Sequence, residues 1–303
     1  MRNLCETLGT TPAGGASVRG RDNGAVRSYR FAKGHGTEND FVVLPDEDGA
    51  VHCDLSAERV RALCDRRAGI GGDGVLRAVQ VLYGRLSGDE EIDAAIAGAN
   101  WFMDYRNADG SLSEMCGNGI RVLARYLFDE GLESSPMWIQ TRDGIKEVRV
   151  DGEAVTVDMG VPEVGGHSDV TVGEAVWSAR RVSTGNPHAV AFVDDLAEAG
   201  PLTEEPGYDR EVYPEGVNVE FVARVADGHV AMRVHERGSG ETRSCGTGAC
   251  AVMVATALAD GRGPGTSYTV DVPGGRLRIE WTPEGRVLMT GPAVMVAYGE
   301  TAL

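Results

Sequence analysis

The sequence is poor in aromatic side chains, at 6%, and its longest apolar stretch, Ala249 to Ala259, is interrupted by Thr256 and too short to cross a bilayer. Positive charge is also scarce: 29 Lys and Arg stand against 46 Asp and Glu, a formal charge of −17. That balance argues against nucleic acid and anionic membrane as partners, since both require a basic face. The plain reading of the acidity is solubility. Residues 1–28 have no apolar period and lack the apolar segment of a secretory signal, so they read as a loose tail and the simplest location is cytoplasmic. There is no Cys-x-x-Cys pair among the six cysteines at 5, 53, 64, 116, 245 and 250. No His or second Cys pair stands at zinc-finger spacing from Cys245 and Cys250, so no metal is expected. In a chain of 303 residues without an export signal, reduced thiols are expected rather than a disulfide scaffold. No phosphate-binding loop is present. Gly69-Ile70-Gly71-Gly72-Asp73-Gly74 formally matches the dinucleotide pattern, but it follows a helix and precedes a strand, the reverse of the required context. It reads as a turn, and no cofactor is expected.

What the chain does have is glycine, 42 residues of it, and 42% apolar residues for a core. Many tight turns with few aromatics suggest a strand-rich fold, and the length suggests two domains or one large one. Short strands are expected at Tyr29 to Lys33 and Val42 to Leu44. Ser56 can cap a helix to about Arg66, with Val60, Leu63 and Cys64 on one face. A strand follows at Val75 to Tyr83, then a loop or surface helix at Ser87 to Gly98, then a strand from Trp101 to Tyr105. Cys116-Gly117-Asn118-Gly119 precedes a helical run from Ile120 to Phe128. Strands are next expected at 146–150, 154–159, 180–183, 188–193, 217–225 and 228–235. Cys245-Gly246-Thr247-Gly248 then precedes a second helical run to Ala259. A hairpin over Thr269 to Trp281 turns at Pro273-Gly274-Gly275, and strands at 286–290 and 293–298 close the chain.

The two halves therefore follow one plan, each with a Cys-Gly-x-Gly opening its main helix. Asn107 stands nine residues before Cys116, and Glu236 nine before Cys245. Related halves packed about a pseudo-twofold axis would set the two cysteines facing each other across a cleft. A thiol at a helix start sits at the positive end of the dipole, which favours thiolate. Bare N–H groups beside it bind anions such as a carboxylate. With an α-amino acid held there, one thiolate can remove the α-proton while the opposite thiol donates one to the other face. Cys5, Cys53, Cys64 and Cys250 read instead as small buried hydrophobes. A catalytically idle binding or redox-sensing protein is the reading from another class, because facing cysteines can form a disulfide.

These motifs resemble the bacterial diaminopimelate epimerase family, most closely its actinobacterial members. The resemblance rests on Lys33-Gly34-His35-Gly36-Thr37-Glu38-Asn39-Asp40-Phe41, Gly69 to Gly74, Arg106-Asn107-Ala108-Asp109-Gly110-Ser111, Glu114-Met115-Cys116-Gly117-Asn118-Gly119, Gly185-Asn186-Pro187-His188, Gly216-Val217-Asn218, Glu236 to Thr242, and Ser244 to Cys250. It runs from about residue 29 to the C-terminus. It implies an α+β fold of two pseudo-symmetric domains, each a strand-rich barrel-like layer around a central helix, with the active site in the interdomain cleft. The implied limits are 29–142 plus 289–303 for the first domain and 143–288 for the second.

The resemblance also implies a pyridoxal-independent isomerase of lysine and peptidoglycan-precursor synthesis, a homodimer that interconverts LL- and meso-2,6-diaminoheptanedioate. Cys116 and Cys245 match the family's catalytic cysteines. Gly117, Asn118, Gly246 and Thr247 match the residues that hold the reacting carboxylate. Asn39, Asn107, Asn186, Asn218, Glu236 and Arg237 match the substrate-binding set, and His188 and Glu236 the positions that support proton transfer. From the residues alone, each Asn is open to ordinary turn chemistry and His188 to a satisfied core histidine. Gly74 departs from members that carry Gln there, Thr184 from those with Met, and Glu38 from those with Gly. These departures leave open a paralogue acting on another amino acid.

Overall fold

The computed structural model describes residues 28–52, 55–81 and 98–303. The expectations for residues 1–27 and 87–97, and for Cys5 and Cys53, lie outside the described residues. The first half contains β1 (Tyr29–Gly36), β2 (Asn39–Pro45), α1 (Ala57–Cys64), β3 (Gly74–Gln80), β4 (Trp101–Asn107), α2 (Gly117–Asp129), β5 (Met137–Thr141), β6 (Gly144–Asp151) and β7 (Ala154–Asp158). The second contains β8 (Glu163–Val172), β9 (Ala175–Ser183), β10 (Pro187–Phe192), a single 3-10 turn at Leu196–Ala199, β11 (Gly207–Tyr208), β12 (Asn218–Ala226), β13 (His229–Glu236), β14 (Gly240–Thr242), α3 (Gly246–Ala259), β15 (Thr266–Val272), β16 (Gly275–Trp281) and β17 (Val287–Pro292). The last strand, β18 (Val294–Thr301), returns to pair with β1.

Strand pairing shows the duplication directly. One row runs β18-β1-β2-β3-β4-β5-β6-β7, the other β8-β9-β10-β12-β13-β15-β16-β17. Both carry the same senses in order: antiparallel, antiparallel, parallel, antiparallel, parallel, antiparallel, antiparallel. A parallel neighbour needs a crossover. In each row α1 or the 3-10 turn lies in the first crossover, and α2 or α3 in the second. The rows join antiparallel at β7 and β17, from Leu288↔Asp158 to Pro292↔Ala154. The domain limit implied between residues 142 and 143 falls in the turn of the β5–β6 hairpin, whose register runs from Met137↔Val148 to Thr141↔Gly144.

Each row curls around its own helix. Every residue of α3 from Gly246 to Ala257 is buried, and α2 is buried over ten of its thirteen residues. A helix apolar on all sides is one surrounded by protein. Val252, Met253 and Val254 are wholly buried, and each such side chain is worth roughly 1.5–3 kcal/mol against exposure. The fold is α+β, with two pseudo-symmetric, strand-rich halves.

Several boundaries moved. α2 and α3 begin three residues earlier than the apolar pattern suggested, at Gly117 and Gly246, because Cys116 and Cys245 are themselves the N-caps. Glycines lower helix propensity, and here packing overrides that. α1 stops at Cys64, short of Arg66, because Asp65 takes an extended ψ of 121°. β8 and the early part of β9 were not anticipated. Gly165-Gly166 interrupts the period of β8, and a bulge lies between Val164 and His167.

Candidate active site

The two helix starts are built alike. Cys116 has φ −139° and ψ 116°, Cys245 φ −117° and ψ 115°, both extended N-cap geometry. Each sulfur accepts from the backbone N–H three residues on, Gly119 at 3.3 Å and Gly248 at 3.4 Å, as a capping oxygen would. The N–H groups of Gly117, Asn118, Gly246 and Thr247 belong to the first helical turn and have no carbonyl of their own helix to bond. The helix ends also touch. A Cβ on Gly117 would stand 2.7 Å from Met289 Cε, and one on Gly246 3.1 Å from Gly117 Cα. Glycine at both positions lets the backbones approach this closely.

Between the halves lies a cleft with a cavity volume of about 580 Å³. Asn39, Asn107, Cys116, Gly117, Asn118, Asn186, Asn218, Glu236, Arg237, Cys245, Gly246 and Thr247 all line it. Twelve of the thirteen positions singled out from sequence thus come to one place. The thirteenth, His188, is fully buried behind the wall, with Nδ1 2.6 Å from Glu220 Oε1. The two rows match residue for residue. Phe41 faces Gly74 as His188 faces Asn218, and Gly74 faces Asn107. One step beyond the Val219↔His235 pair brings Asn218 opposite Glu236. The equivalent pairs are therefore Asn39 with Asn186, Gly74 with Asn218, and Asn107 with Glu236.

The polar wall is held in place from behind. Asn39 Nδ2 donates to Asp73 at 2.8 Å. Buried Asn118 spans the halves: its Nδ2 donates to Asn39 Oδ1 at 3.1 Å and to Ser244 O at 3.0 Å, and its Oδ1 accepts from Arg121 at 2.9 Å. The Tyr105 hydroxyl donates to Asn107 at 2.8 Å. Asn218 Oδ1 accepts from the Arg237 N–H at 2.9 Å. Glu236 accepts from the Thr242 hydroxyl. Arg237 is exposed at the rim, with Nη1 donating to Glu215 O at 3.0 Å. Gly216, at φ +89°, lies beneath it, and a Cβ there would stand 2.8 Å from Arg237 Cδ. At Gly74 a side chain has no room, since a Cβ would meet Tyr105 Cε2 at 2.7 Å; the Tyr105 ring lines the cleft instead.

The helix starts do not by themselves make thiolates. Burial pushes the Cys116 thiol up to about 11, although the Gly119 N–H pulls the other way. Burial, then the Glu236 and Glu220 carboxylates, raise Cys245 well above its ordinary 9.0. The expected lowering by the dipole is outweighed by desolvation. Burial also raises Glu236 and Glu220 above the usual carboxylate range. Both cysteines are free thiols. Among the described residues no cluster of three His, Cys, Asp or Glu could hold a metal, and no helix is long and apolar enough to cross a membrane. Sequence reasoning missed Tyr105, Ser244, Arg121 and Glu220. Ser244 lies within a recognised motif and Tyr105 adjoins one, whereas Arg121 and Glu220 have no local signal.

Comparison with known proteins decides the family. The model of the diaminopimelate epimerase family matches residues 31–164 and 180–296. The chain belongs to this family. It is 55% identical over 280 residues to the diaminopimelate epimerase of Streptomyces coelicolor, covering 89% of this chain and 94% of that one. The diaminopimelate epimerase of Rhodococcus jostii is 48% identical over 282 residues, covering 89% and 96%. This family member is thus an isomerase of the epimerase class. Solved structures share the fold at low identity. A PhzF-family phenazine biosynthesis protein of Bacillus anthracis superposes with TM-score 0.64 at 16% identity, covering 91% of this chain and 99% of that one. A hydroxyproline epimerase of Agrobacterium vitis gives 0.61 at 18%, covering 91% and 93%.

Proposed function

We propose that the protein interconverts LL- and meso-2,6-diaminoheptanedioate by a two-base mechanism that uses no cofactor, with Cys116 and Cys245 as acid and base. The observation that carries this is the meeting of two thiol-capped helix starts, touching at Gly117 and Gly246, on one cleft. The substrate's reacting carboxylate binds the free N–H groups of Gly117, Asn118, Gly246 and Thr247. Its α-carbon then lies between the sulfurs. One thiolate takes the α-proton and becomes a thiol, leaving a carbanion whose charge spreads onto the carboxylate. The opposite thiol gives its proton to the other face and becomes a thiolate, so configuration inverts and protons balance.

The helix N-termini stabilise the negative charge as it grows on the carboxylate. The substrate's α-ammonium, brought beside raised thiols, favours the thiolate form. Glu236 and four of the cleft asparagines, Asn39, Asn107, Asn186 and Asn218, bind the ammonium groups and the distal end. Arg237 forks onto the distal carboxylate. His188, behind the wall, supports proton transfer. The relatives' name supports a place in lysine and peptidoglycan-precursor synthesis, and the protein is taken to act there as a cytoplasmic homodimer.

The test is turnover of LL-2,6-diaminoheptanedioate in heavy water. Wild-type enzyme forms the meso product carrying deuterium at the inverted carbon, and Cys116→Ala and Cys245→Ala each abolish epimerisation. Full activity in either variant overturns the mechanism. Equal turnover of single amino acids lacking a distal carboxylate would favour a paralogous racemase, and no deuterium incorporation would favour a binding protein.

A further inference from the structure

A buried carboxylate stands beside one of the two thiols and has no equivalent beside the other. Glu220 is wholly buried near the start of β12, between Val219 and Phe221. Its Oε1 lies 2.6 Å from Nδ1 of His188 on the parallel neighbour β10. A Cβ on Gly248 would stand 2.7 Å from Glu220 Oε1 and 3.3 Å from Cys245 Sγ, so only that glycine separates carboxylate from thiol. In the other half the same places are apolar. Val43 faces Leu76 in the β2–β3 pair as Val190 faces Glu220 in the β10–β12 pair. Leu76 therefore takes the place of Glu220, and Phe41 that of His188. A Cβ on Gly119 would meet Leu76 Cδ2 at 3.0 Å and Cys116 Sγ at 3.5 Å.

The asymmetry has a second pole. Arg121, five residues after Cys116, is wholly buried. Its guanidinium donates to neutral groups, Gly117 O at 3.1 Å and Asn118 Oδ1 at 2.9 Å. The residue five after Cys245 is Cys250, an uncharged buried thiol. A fixed cation thus lies under one thiol and a titratable pair under the other.

We propose that Glu220 is a positioning residue of the acid/base pair: bound to His188 beside Cys245, and opposed by Arg121 beneath Cys116, it polarises a duplicated site so that Cys116 ionises before Cys245. A carboxylate accepting from Nδ1–H fixes the imidazole tautomer and leaves Nε2 as the free nitrogen. A nearby anion disfavours a thiolate, and the dry surroundings strengthen the effect.

The neighbouring charges agree with this order. Cys245 is faced by Glu236 from β13 and Glu220 from β12, with the Thr247 hydroxyl bonded to it. Cys116 is faced by Glu236, Arg121 and the Tyr105 phenol. Glu220 itself is faced by His188 from β10, Glu236 from β13 and Tyr213 from the β11–β12 loop. Glu236 acts on both thiols, whereas Glu220 acts on Cys245 alone among the main influences. Burial raises both thiols, Cys116 to about 11 and Cys245 well above its ordinary 9.0, and the Glu220 carboxylate adds to the rise at Cys245.

The proposal rests on the reading of the two cysteines as acid and base, but its test needs no turnover. Full-length wild type, Glu220→Gln and Glu220→Leu are alkylated with iodoacetamide at several pH values, and each thiol's rate is read by peptide mass spectrometry. Glutamine keeps the shape and the acceptor oxygen but not the charge. Cys245 is expected to react about tenfold faster in Glu220→Gln, one unit of thiol ionisation, while Cys116 keeps its wild-type rate. Leucine, the residue of the other half, carries the same expectation and suits an apolar setting should the glutamine variant fail to fold. An unchanged Cys245 rate, or equal acceleration of both thiols, overturns the proposal. Absence of epimerisation by the wild type, with the alkylation result intact, would instead overturn the reading of the function.

Discussion

Gly117 and Gly246 meet backbone to backbone at the pseudo-twofold axis, where a Cβ on Gly246 would stand 3.1 Å from Gly117 Cα and 3.2 Å from Met289 Sδ. This contact sets how far apart the two helix starts, and hence the two sulfurs, can be. Gly246→Ala is expected to wedge the halves apart. A misplacement on the scale of 1 Å costs about a hundredfold in rate, and the overpacking about 1–3 kcal/mol of stability. Steady-state kinetics and urea unfolding measure the two separately. Wild-type kcat in a folded Gly246→Ala enzyme would show that the spacing is not critical.

Arg237 lies at the cleft rim, over Gly216. If it forks onto a distal carboxylate, Arg237→Lys keeps the charge but loses the bidentate geometry. The expected result is a fall in kcat/KM of about tenfold to a hundredfold, carried mainly by KM. A loss confined to kcat would place Arg237 at the reacting end instead.

The thiols of the free enzyme are raised by burial, Cys116 to about 11. Deprotonation is therefore incomplete at neutral pH and grows as pH rises. Inactivation by iodoacetamide is expected to accelerate about tenfold per unit from pH 7 to pH 9 without a plateau. A plateau near pH 7 would mean that the helix ends, not burial, control ionisation.

His52 is buried against the Tyr29 ring, with ring centroids 4.6 Å apart. Burial pulls its imidazole down from 6.5 to about 4, against the attraction of Asp46. Between those values the unfolded chain takes up a proton that the folded chain refuses, so stability falls as pH drops from about 6.5 and the loss levels off below about 4. The effect is at most about 3 kcal/mol. Urea unfolding at pH 7 and pH 5 should show a larger loss in wild type than in His52→Phe. Equal losses would remove His52 as the cause.

Much of the site was legible because it is written twice. One Cys-Gly-x-Gly is a weak signal; two of them, each nine residues after a polar residue and each before a helical run, mark a duplicated anion site. The helix starts themselves were misjudged by three residues. Gly117, Asn118 and Gly119 are poor helix formers in isolation, and tertiary packing holds them helical. β8 was hidden because Gly165-Gly166 interrupts its alternation. Glu220 was illegible for another reason: within Asn218-Val219-Glu220-Phe221-Val222 it looks like an outward polar residue on an alternating strand. Its burial follows from tertiary packing: it pairs with Val190 of the parallel β10, its side chain reaches His188 two residues before that partner, and Gly248 of α3 packs against its carboxylate.

The sequence by itself determined the chemistry: which residues are thiols, which are glycines that leave N–H groups bare, and that the pattern repeats. Composition, spacing and periodicity are local and survive without coordinates. Only the tertiary structure decided that the repeated halves are unequal. Register across strands distant in sequence set Glu220–His188 against Leu76–Phe41 and Arg121 against Cys250. It also decided that burial, rather than the helix dipole, governs both thiols, because desolvation depends on what the rest of the chain packs around a group.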